Sequence, residues 1–179
     1  LSVEGALSWG EYIYTSTPRM TQTVDNSAEI VHDNAPVPYW ASHPIYKKYT
    51  DDFGSVTYET DVDGNYIVEK NQKHYVPSTP QLAADLGLNY RTNSYWFFEI
   101  DAQYFANSYL DMNPLYRTDM AVSGPDKIMT PVEIEYMTAQ EKFDPVFLLN
   151  ASIGKSWYID RKYNFGFSLN VQNITNNRG

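Results

Sequence analysis

Three histidines, His32, His43 and His74, fall in one long stretch rich in carboxylates, and they are the first candidates for a chemical site. Neutral imidazole and carboxylate together bind transition metals or haem iron when the chain brings them close. The spacing is irregular, however, and no two histidines lie four residues apart, as two ligands on one helix face would. The pattern therefore favours scattered surface histidines, and we expect no metal centre and no cofactor.

A second candidate is the acidic segment 61–65, with the sequence Asp-Val-Asp-Gly-Asn, followed by Glu69. Oxygen ligands at alternate positions around a glycine resemble the start of a calcium-binding loop. The complete spacing, which ends in a glutamate at the twelfth position, is not met. The sequence therefore favours a hairpin turn about Asp63-Gly64, with arms from Ser55 to Glu59 and from Tyr66 to Lys70.

Two carboxylates, Glu99 and Asp101, stand two residues apart in a run of alternating apolar and polar residues, which places both on one face of a strand. Paired carboxylates can perform acid and base chemistry. A structural interpretation is simpler, because Glu99, Asp101, Gln103 and Asn107 would together line a hydrated interior or contact a domain inside it. No nucleophile elbow, phosphate loop or His-Glu-x-x-His motif is present, so we do not predict an enzyme.

The stretch that contains the three histidines also carries aromatic residues close together in sequence, namely Tyr39, Trp40, Tyr46, Tyr49 and Phe53. Exposed rings of this kind could stack on a sugar or contact a partner protein. They could equally pack the stretch onto its own hairpin. The sequence leaves both interpretations open.

Charge and composition exclude several classes of protein. The 179 residues carry a formal net charge of -9, and no basic stripe is present, so a nucleic-acid partner is not expected. The absence of cysteine excludes a disulfide scaffold, thiolate metal sites and cysteine nucleophiles. The sequence has no run of about 18 consecutive apolar residues, so no transmembrane helix is predicted. With 42% hydrophobic residues, the chain has enough apolar side chains to fold.

The elements that must position these residues are strands, because apolar residues recur with a period of two in five runs. The clearest run extends from Trp96 to Leu110, where the even positions are apolar and the odd positions include Glu99, Asp101 and Gln103. The other runs cover residues 1–13, 81–91, 147–157 and 163–171. Antiparallel strands with one apolar and one polar face are therefore predicted.

Short and long connections alternate between these runs. Residues 91–94 and 160–162 form tight turns, whereas the connections at about 17–80 and 112–145 are long, which is typical of functional segments. In the second, Thr130-Pro131-Val132-Glu133 predicts a helix start with a capping box, and the helix should run to about Gln140.

Two architectures bury one face of such strands, a β-sandwich and a membrane barrel whose apolar face meets lipid. Aromatic residues near both strand ends suit the barrel. Those flanking the tight turns are Tyr90, Trp96, Trp157 and Tyr163, and those towards the long connections are Trp9, Tyr104 and Phe147. We therefore predict an all-β fold, an antiparallel transmembrane β-barrel segment of about five strands with long connecting loops and one short loop helix. About five strands cannot close a barrel, so the remaining strands must come from elsewhere.

The segment from Tyr75 to Arg91, YVPSTPQLAADLGLNYR, resembles the penultimate region of TonB-dependent outer-membrane receptors, particularly the Bacteroidetes type. Further stretches resemble the same family, namely Tyr95 to Pro114 followed by Arg117-Thr118, Ser152 to Lys155, and the closing tract from Asn170 to Asn177. The resemblance implies a barrel of about 22 strands with an N-terminal plug. Residues 1–179 would supply roughly strands 17 to 21, without the plug and the last strand. The long connections, about 17–80 and 112–145, would be extracellular loops and the tight turns periplasmic.

The function implied by this resemblance is energised uptake of a nutrient by a multi-pass β-barrel in the Gram-negative outer membrane. The implied partners are the rest of the barrel and its plug, the inner-membrane TonB complex acting through the plug, outer-membrane lipid, and a surface lipoprotein at the loops. Two alternatives stay open. One is a secreted β-sandwich that binds carbohydrate, and the other is a transport-inactive barrel that scaffolds an outer-membrane assembly.

Overall fold

The structure is a computed structural model that describes residues 1–77, 79–124, 127–160 and 162–177. Strands contain 52% of the residues and helices 9%, and the sheets are antiparallel. The all-β class is therefore confirmed. The chain forms two compact units. We call Leu1–Glu11, Pro77–Tyr109 and Lys142–Gly179 the sheet unit, and Tyr12–Val76 and Leu110–Glu141 the loop unit.

In chain order, the strands are β1 (Ser2–Trp9), β2 (Arg19–Thr23), β3 (Ile30–Pro36), β4 (Ser42–Tyr46), β5 (Lys48–Thr50), β6 (Val56–Tyr58), β7 (Val68–Lys73), β8 (Leu82–Arg91), β9 (Trp96–Ala106), β10 (Ser123–Gly124), β11 (Lys127–Ile128), β12 (Val146–Ile159) and β13 (Tyr163–Val171). The helical elements are a 3-10 turn (Pro114–Arg117), α1 (Asp119–Val122) and α2 (Pro131–Thr138).

The sheet unit is one antiparallel sheet with the strand order β1-β8-β9-β12-β13, so each predicted run forms a strand. Its registers keep residues of the same face opposite one another in all five strands. In the described part of the chain, the edge strands β1 and β13 do not pair with each other, so the sheet is not closed.

Two strand ends differ from the prediction. The first run ends at Trp9, and Ile13 forms an isolated bridge with Tyr75 in the loop unit instead. The run from Trp96 ends at Ala106, because Asn107 adopts a left-handed backbone with φ of 57°. The prediction that Asn107 shares the strand face of Glu99 is therefore wrong.

The tight turns lie at the end of the sheet opposite to the long connections. Between β8 and β9, Tyr95 takes a φ of 62° and its amide donates to the Thr92 carbonyl at 3.1 Å. Between β12 and β13, Asp160 takes a φ of 53°. Arg161 of this predicted turn, and Ser78 of the segment that resembles the receptors, lie outside the described residues.

The loop unit consists of the two-stranded sheets β2–β3, β4–β7, β5–β6 and β10–β11 together with the helical elements. The helix predicted at Thr130 is confirmed, with the Thr130 amide donating to the Glu133 carboxylate at 2.8 Å in a capping box. It ends at Thr138, two residues before the predicted Gln140. Among the described residues, no helix is both long and apolar enough to cross a membrane.

The hairpin predicted about Asp63-Gly64 forms at its turn and in one adjacent bridge, between Thr60 and Tyr66. Asp61 Oδ1 accepts the amides of Asp63 and Asn65 at 2.9 and 2.8 Å, and Gly64 takes the required positive φ of 84°. The predicted arms are wrong, because β6 pairs with β5 and β7 pairs with β4.

The reason for this different pairing is a three-way junction of backbone hydrogen bonds. Lys47 donates to the Ile67 carbonyl at 2.8 Å, Glu59 donates to the Lys47 carbonyl at 2.9 Å, and Ile67 donates to the Glu59 carbonyl at 3.0 Å. Two short hairpins therefore branch from the β4–β7 stem.

Candidate functional site

One face of the five-stranded sheet is apolar from edge to edge, apart from Lys155 on β12. Because the strands pair in register, apolar side chains form rows across the sheet. The rows are Leu7, Ala84, Tyr104 and Phe147; Gly5, Leu86, Ala102 and Leu149; Val3, Leu88, Ile100, Ala151 and Val171; and Tyr90, Phe98, Ile153 and Leu169. Ile100 and Leu169 are 47% and 53% exposed. No second layer covers this face within the described residues of the sheet unit.

Aromatic rings concentrate at the tight-turn end of this face. The Tyr90 and Phe98 rings stack with centroids 6.3 Å apart, and Trp96 stacks on Phe98 at the same distance. Trp157 lies 5.6 Å from Phe165 in the neighbouring strand. At the other end Tyr104 stands opposite Phe147. The face therefore has aromatic residues at both ends and aliphatic residues in its middle rows.

The opposite face carries the predicted carboxylates in cross-strand hydrogen bonds. Glu99 accepts from Asn89 Nδ2 at 2.7 Å and from Ser152 Oγ at 3.0 Å, so it joins three neighbouring strands. Asp101 accepts from Asn150 Nδ2 at 3.2 Å. The two carboxylates line a shallow cavity of about 200 Å³. This face is therefore polar and cross-linked by side-chain hydrogen bonds, and Gln103 belongs to it opposite Asp85.

The polar face has one close-packed point, where the Phe97 ring covers Gly154 on the next strand. The two residues are directly opposite. A Cβ at position 154 would meet this ring and would lie 2.6 Å from the carbonyl oxygen of Phe167. Glycine is therefore required here by space rather than by a positive φ.

The five aromatic residues proposed as one cluster are divided in the structure. Trp40 contacts Tyr14 with ring centroids 5.1 Å apart, and Tyr46 contacts Tyr66 at 6.2 Å. Tyr39 is half-buried. Tyr49 and Phe53 are exposed on the β5–β6 hairpin, Phe53 by 95%. Among the described residues, no ring contact joins two of the five. Trp40 and Tyr46 pack against other rings, whereas Tyr49 and Phe53 expose most of theirs.

His43 and His74, predicted as surface residues, are buried and hydrogen-bonded to each other, so this prediction is wrong for two of the three histidines. The distance from His43 Nδ1 to His74 Nε2 is 2.8 Å, and His74 Nδ1 lies 2.9 Å from the Trp40 carbonyl. A carbonyl only accepts, so His74 Nδ1 carries the proton and its neutral Nε2 accepts from His43. His32 lies apart on β3, opposite Gln22.

Burial, with the nearby His74 and Arg117, lowers the pKa of His43 to about 4. Burial also lowers the pKa of His74. Both imidazoles are therefore neutral near pH 7. The spacing of 31 residues gives no sequence signal for this pair.

Arg117, for which the sequence predicted no structural role, fixes the end of α2. Its guanidinium donates to the carbonyls of Met137 and Ala139, the latter at 2.8 Å. Glu135 of the same helix accepts from the Tyr46 amide at 2.7 Å and from Lys48 Nζ at 2.8 Å. These contacts stabilise the loop unit as a folded body.

The described residues hold no group of three or more histidine and carboxylate side chains that could bind a metal ion. Both Asp61 carboxylate oxygens accept hydrogen bonds within the 61–65 turn, so they act in the turn itself. Comparison with known proteins found no match for this chain among family models, curated proteins or solved structures.

Proposed function

We propose that the chain forms part of the wall of an outer-membrane β-barrel. The apolar face of the sheet unit meets lipid, and the loop unit makes the extracellular connections. The observation that carries this proposal is the apolar face, which extends across five strands without a covering layer among the described residues of the sheet unit. Water-soluble proteins rarely expose apolar patches larger than a few hundred Å², and a sheet in water buries such a face under a second layer.

The dimensions of this face suit a bilayer. Along β12 the apolar positions run from Phe147 to Trp157, ten residue steps or about 33 Å at about 3.3 Å per residue. A strand tilted by about 45° would span about 23 Å along the membrane normal, close to the apolar band of about 25 Å in outer-membrane barrels. Aromatic residues at both ends match the interfacial girdles of such barrels.

The polar face is proposed to line the interior of the barrel. Its residues Glu99, Asp101 and Gln103 would contact water or the plug of the complete receptor. The intact hydrogen bonds of Glu99 and Asp101 hold these carboxylates within the wall. This arrangement supports a structural and permeation role, and we propose no covalent chemistry here.

Nutrient uptake energised through TonB is the activity proposed for the complete receptor. It rests on the resemblance of residues 75–91, 95–114 and 170–177 to that family. The loop unit supports a receptor role, because a folded body with exposed Tyr49 and Phe53 rings offers a surface for a substrate or a surface lipoprotein.

The lipid-facing assignment is tested by cysteine labelling in membranes that contain the full chain. The variants Ile100→Cys and Asp101→Cys place a thiol on opposite faces of one strand, and Leu149→Cys with Asn150→Cys repeats the comparison on the next. We expect a water-soluble maleimide to label positions 101 and 150 and to spare 100 and 149. Equal rates at 100 and 101 would show that the face assignment is wrong.

The topology is tested with epitope tags on intact cells. A tag between Asp63 and Gly64 should be detected from outside, because this turn belongs to an extracellular connection. A tag at Asn93, in a tight turn, should be silent until the cells are opened. The reverse result would invert the orientation and contradict the proposal.

A further inference from the structure

We infer that Lys155 and the two tryptophans around it form a binding site for the phosphate headgroup of an anionic phospholipid. This inference rests on the proposed function, because it assigns a partner to the lipid-facing surface. The site lies at the tight-turn end of the apolar face, on the row formed by Trp96, Lys155 and Phe167.

Lys155 is the only charged side chain on the apolar face within the described residues of the five strands. Its Nζ lies 5.0 Å from the centroid of the Trp96 ring and 5.3 Å from that of Trp157. Both distances lie within the range of a cation–π interaction. Two rings from neighbouring strands therefore hold the ammonium in a defined position.

The ammonium still lacks an anionic partner in the described part of the chain, where no carboxylate lies within salt-bridge distance of it. An ammonium has three N–H donors, and aromatic faces attract the positive charge without accepting all of them in good geometry. The site therefore offers positive charge and hydrogen-bond donors to an anion.

The depth of Lys155 indicates which anion fits. It stands four residues from Ala151 of the middle row, about 13 Å along a strand, near the edge of the apolar band. A lysine is tolerated at this depth because its head reaches the headgroup region, where tryptophan side chains also concentrate. A phospholipid supplies both a phosphate at this level and acyl chains for the apolar rows at Ile153 and Leu169.

A free phosphate ion matches this surface less well. It would leave the rings and the aliphatic rows beside it exposed to water, whereas a lipid covers them. Lys162 provides a matched control, because its Nζ also lies over an aromatic ring, that of Tyr163 at 5.7 Å, but it belongs to the turn and has a single ring. The inference therefore concerns the position of Lys155 rather than lysine in general.

The experiment uses the full chain in phosphatidylcholine vesicles that contain brominated phosphatidylglycerol or brominated phosphatidylcholine. Bromine on the acyl chains quenches tryptophan fluorescence at short range. With Trp9 and Trp40 replaced by phenylalanine in every variant, the quenching reports which lipid occupies the surface near Trp96 and Trp157. A basic residue near an anionic surface should give about a five-fold preference for phosphatidylglycerol. We expect Lys155→Met to reduce this preference to about one, and Lys155→Arg and Lys162→Met to retain it.

Each result bears on the inference. The site would be overturned if Lys155→Met kept the preference for phosphatidylglycerol, or if Lys162→Met lost this preference as well. It would also be overturned if inorganic phosphate, added at constant ionic strength, abolished the preference. Strong quenching by both lipids without preference would also overturn it while leaving the lipid-facing sheet intact. Absence of quenching by either lipid would instead refute the proposed function.

Discussion

Replacing Gly154 with alanine is expected to destabilise the sheet, although alanine is usually better than glycine inside a strand. The Phe97 ring fills the space where a side chain would lie, and the Phe167 carbonyl oxygen is 2.6 Å from the position of the new Cβ. The ring can rotate away. The carbonyl cannot move as easily, because it belongs to the strand β13, which pairs with β12 over nine residue pairs.

The size of the effect follows from two opposing contributions. Overpacking of a closely packed site costs about 1–3 kcal/mol, and the lower backbone entropy of alanine returns about 0.4–1 kcal/mol. A net loss of about 1–2 kcal/mol is expected. Gly166→Ala on β13 is the matched control, because a Cβ there would lie 3.6 Å from Ser156 Oγ, an ordinary van der Waals contact. It should be neutral or slightly stabilising.

The assay is urea unfolding of the full chain in detergent micelles, followed by tryptophan fluorescence. The double variant Phe97→Ala with Gly154→Ala separates the effect of the ring from that of the Phe167 carbonyl. In the absence of the ring, Gly154→Ala should cost less stability, by the amount that the clash with the ring contributes. A coupling of about 1 kcal/mol is expected between the two positions. If Gly154→Ala and Gly166→Ala differ by less than about 0.5 kcal/mol, the packing argument is refuted.

Three further predictions concern the loop unit. Because the pKa of His43 is about 4 in the folded state and 6.5 in the unfolded state, protonation favours unfolding. The free energy of unfolding should be highest above pH 6.5 and should fall by up to roughly 3 kcal/mol as the pH drops towards 4. His43→Gln should flatten this pH dependence in urea titrations. Arg117→Leu should lower stability by about 1–3 kcal/mol because it leaves two partly buried carbonyls, those of Met137 and Ala139, without their donor. Arg117→Lys, which lacks the planar fork, should recover only part of this loss in the same urea titrations. Glu133→Ala should cost about 1 kcal/mol through loss of the capping box with Thr130, and hydrogen exchange should rise in the loop unit while the sheet stays protected.

The sheet could be predicted from the sequence because its two faces differ in polarity. Alternation of apolar and polar residues specifies both the strands and their relative register, since a slip by one residue would exchange the faces. The end of β9 carried a readable signal as well, because asparagine is among the residues most often found with positive φ. Asn107 directly follows the last residue of that strand.

The loop unit was harder to predict because its stabilising contacts join distant residues without periodicity. The capping box of α2 involves residues three apart, and the sequence predicts it correctly. The pair His43 and His74 is 31 residues apart, and the Tyr46 amide meets Glu135 across 89 residues. No local preference indicates such contacts. The hairpin arms failed for the same reason, because the three-way junction at Lys47 competes with the simple pairing that the turn alone would give.

The Asn-rich tract connects the sheet geometry with the proposed lipid surroundings. Strand β13 pairs with β12 only as far as Val171 opposite Ala151, so carbonyls further along β12 would otherwise lack partners on that side. The tract turns back along β12 and supplies them, with Ile174 N donating to the Leu149 carbonyl at 2.8 Å and Thr175 Oγ1 donating to the Phe147 carbonyl at 2.9 Å.

Asn173 makes this return possible. Its φ of 48° turns the chain, its amide donates to Asn150 Oδ1 at 3.0 Å, and its side chain binds the Asn177 backbone through both amide atoms. In water a carbonyl at a strand end finds a solvent partner, whereas in a bilayer each unsatisfied backbone group costs several kcal/mol. A tract of polar residues that covers β12 carbonyls beside Phe147 and Leu149 of the apolar face is therefore what a lipid-facing sheet requires and what a soluble sheet could omit.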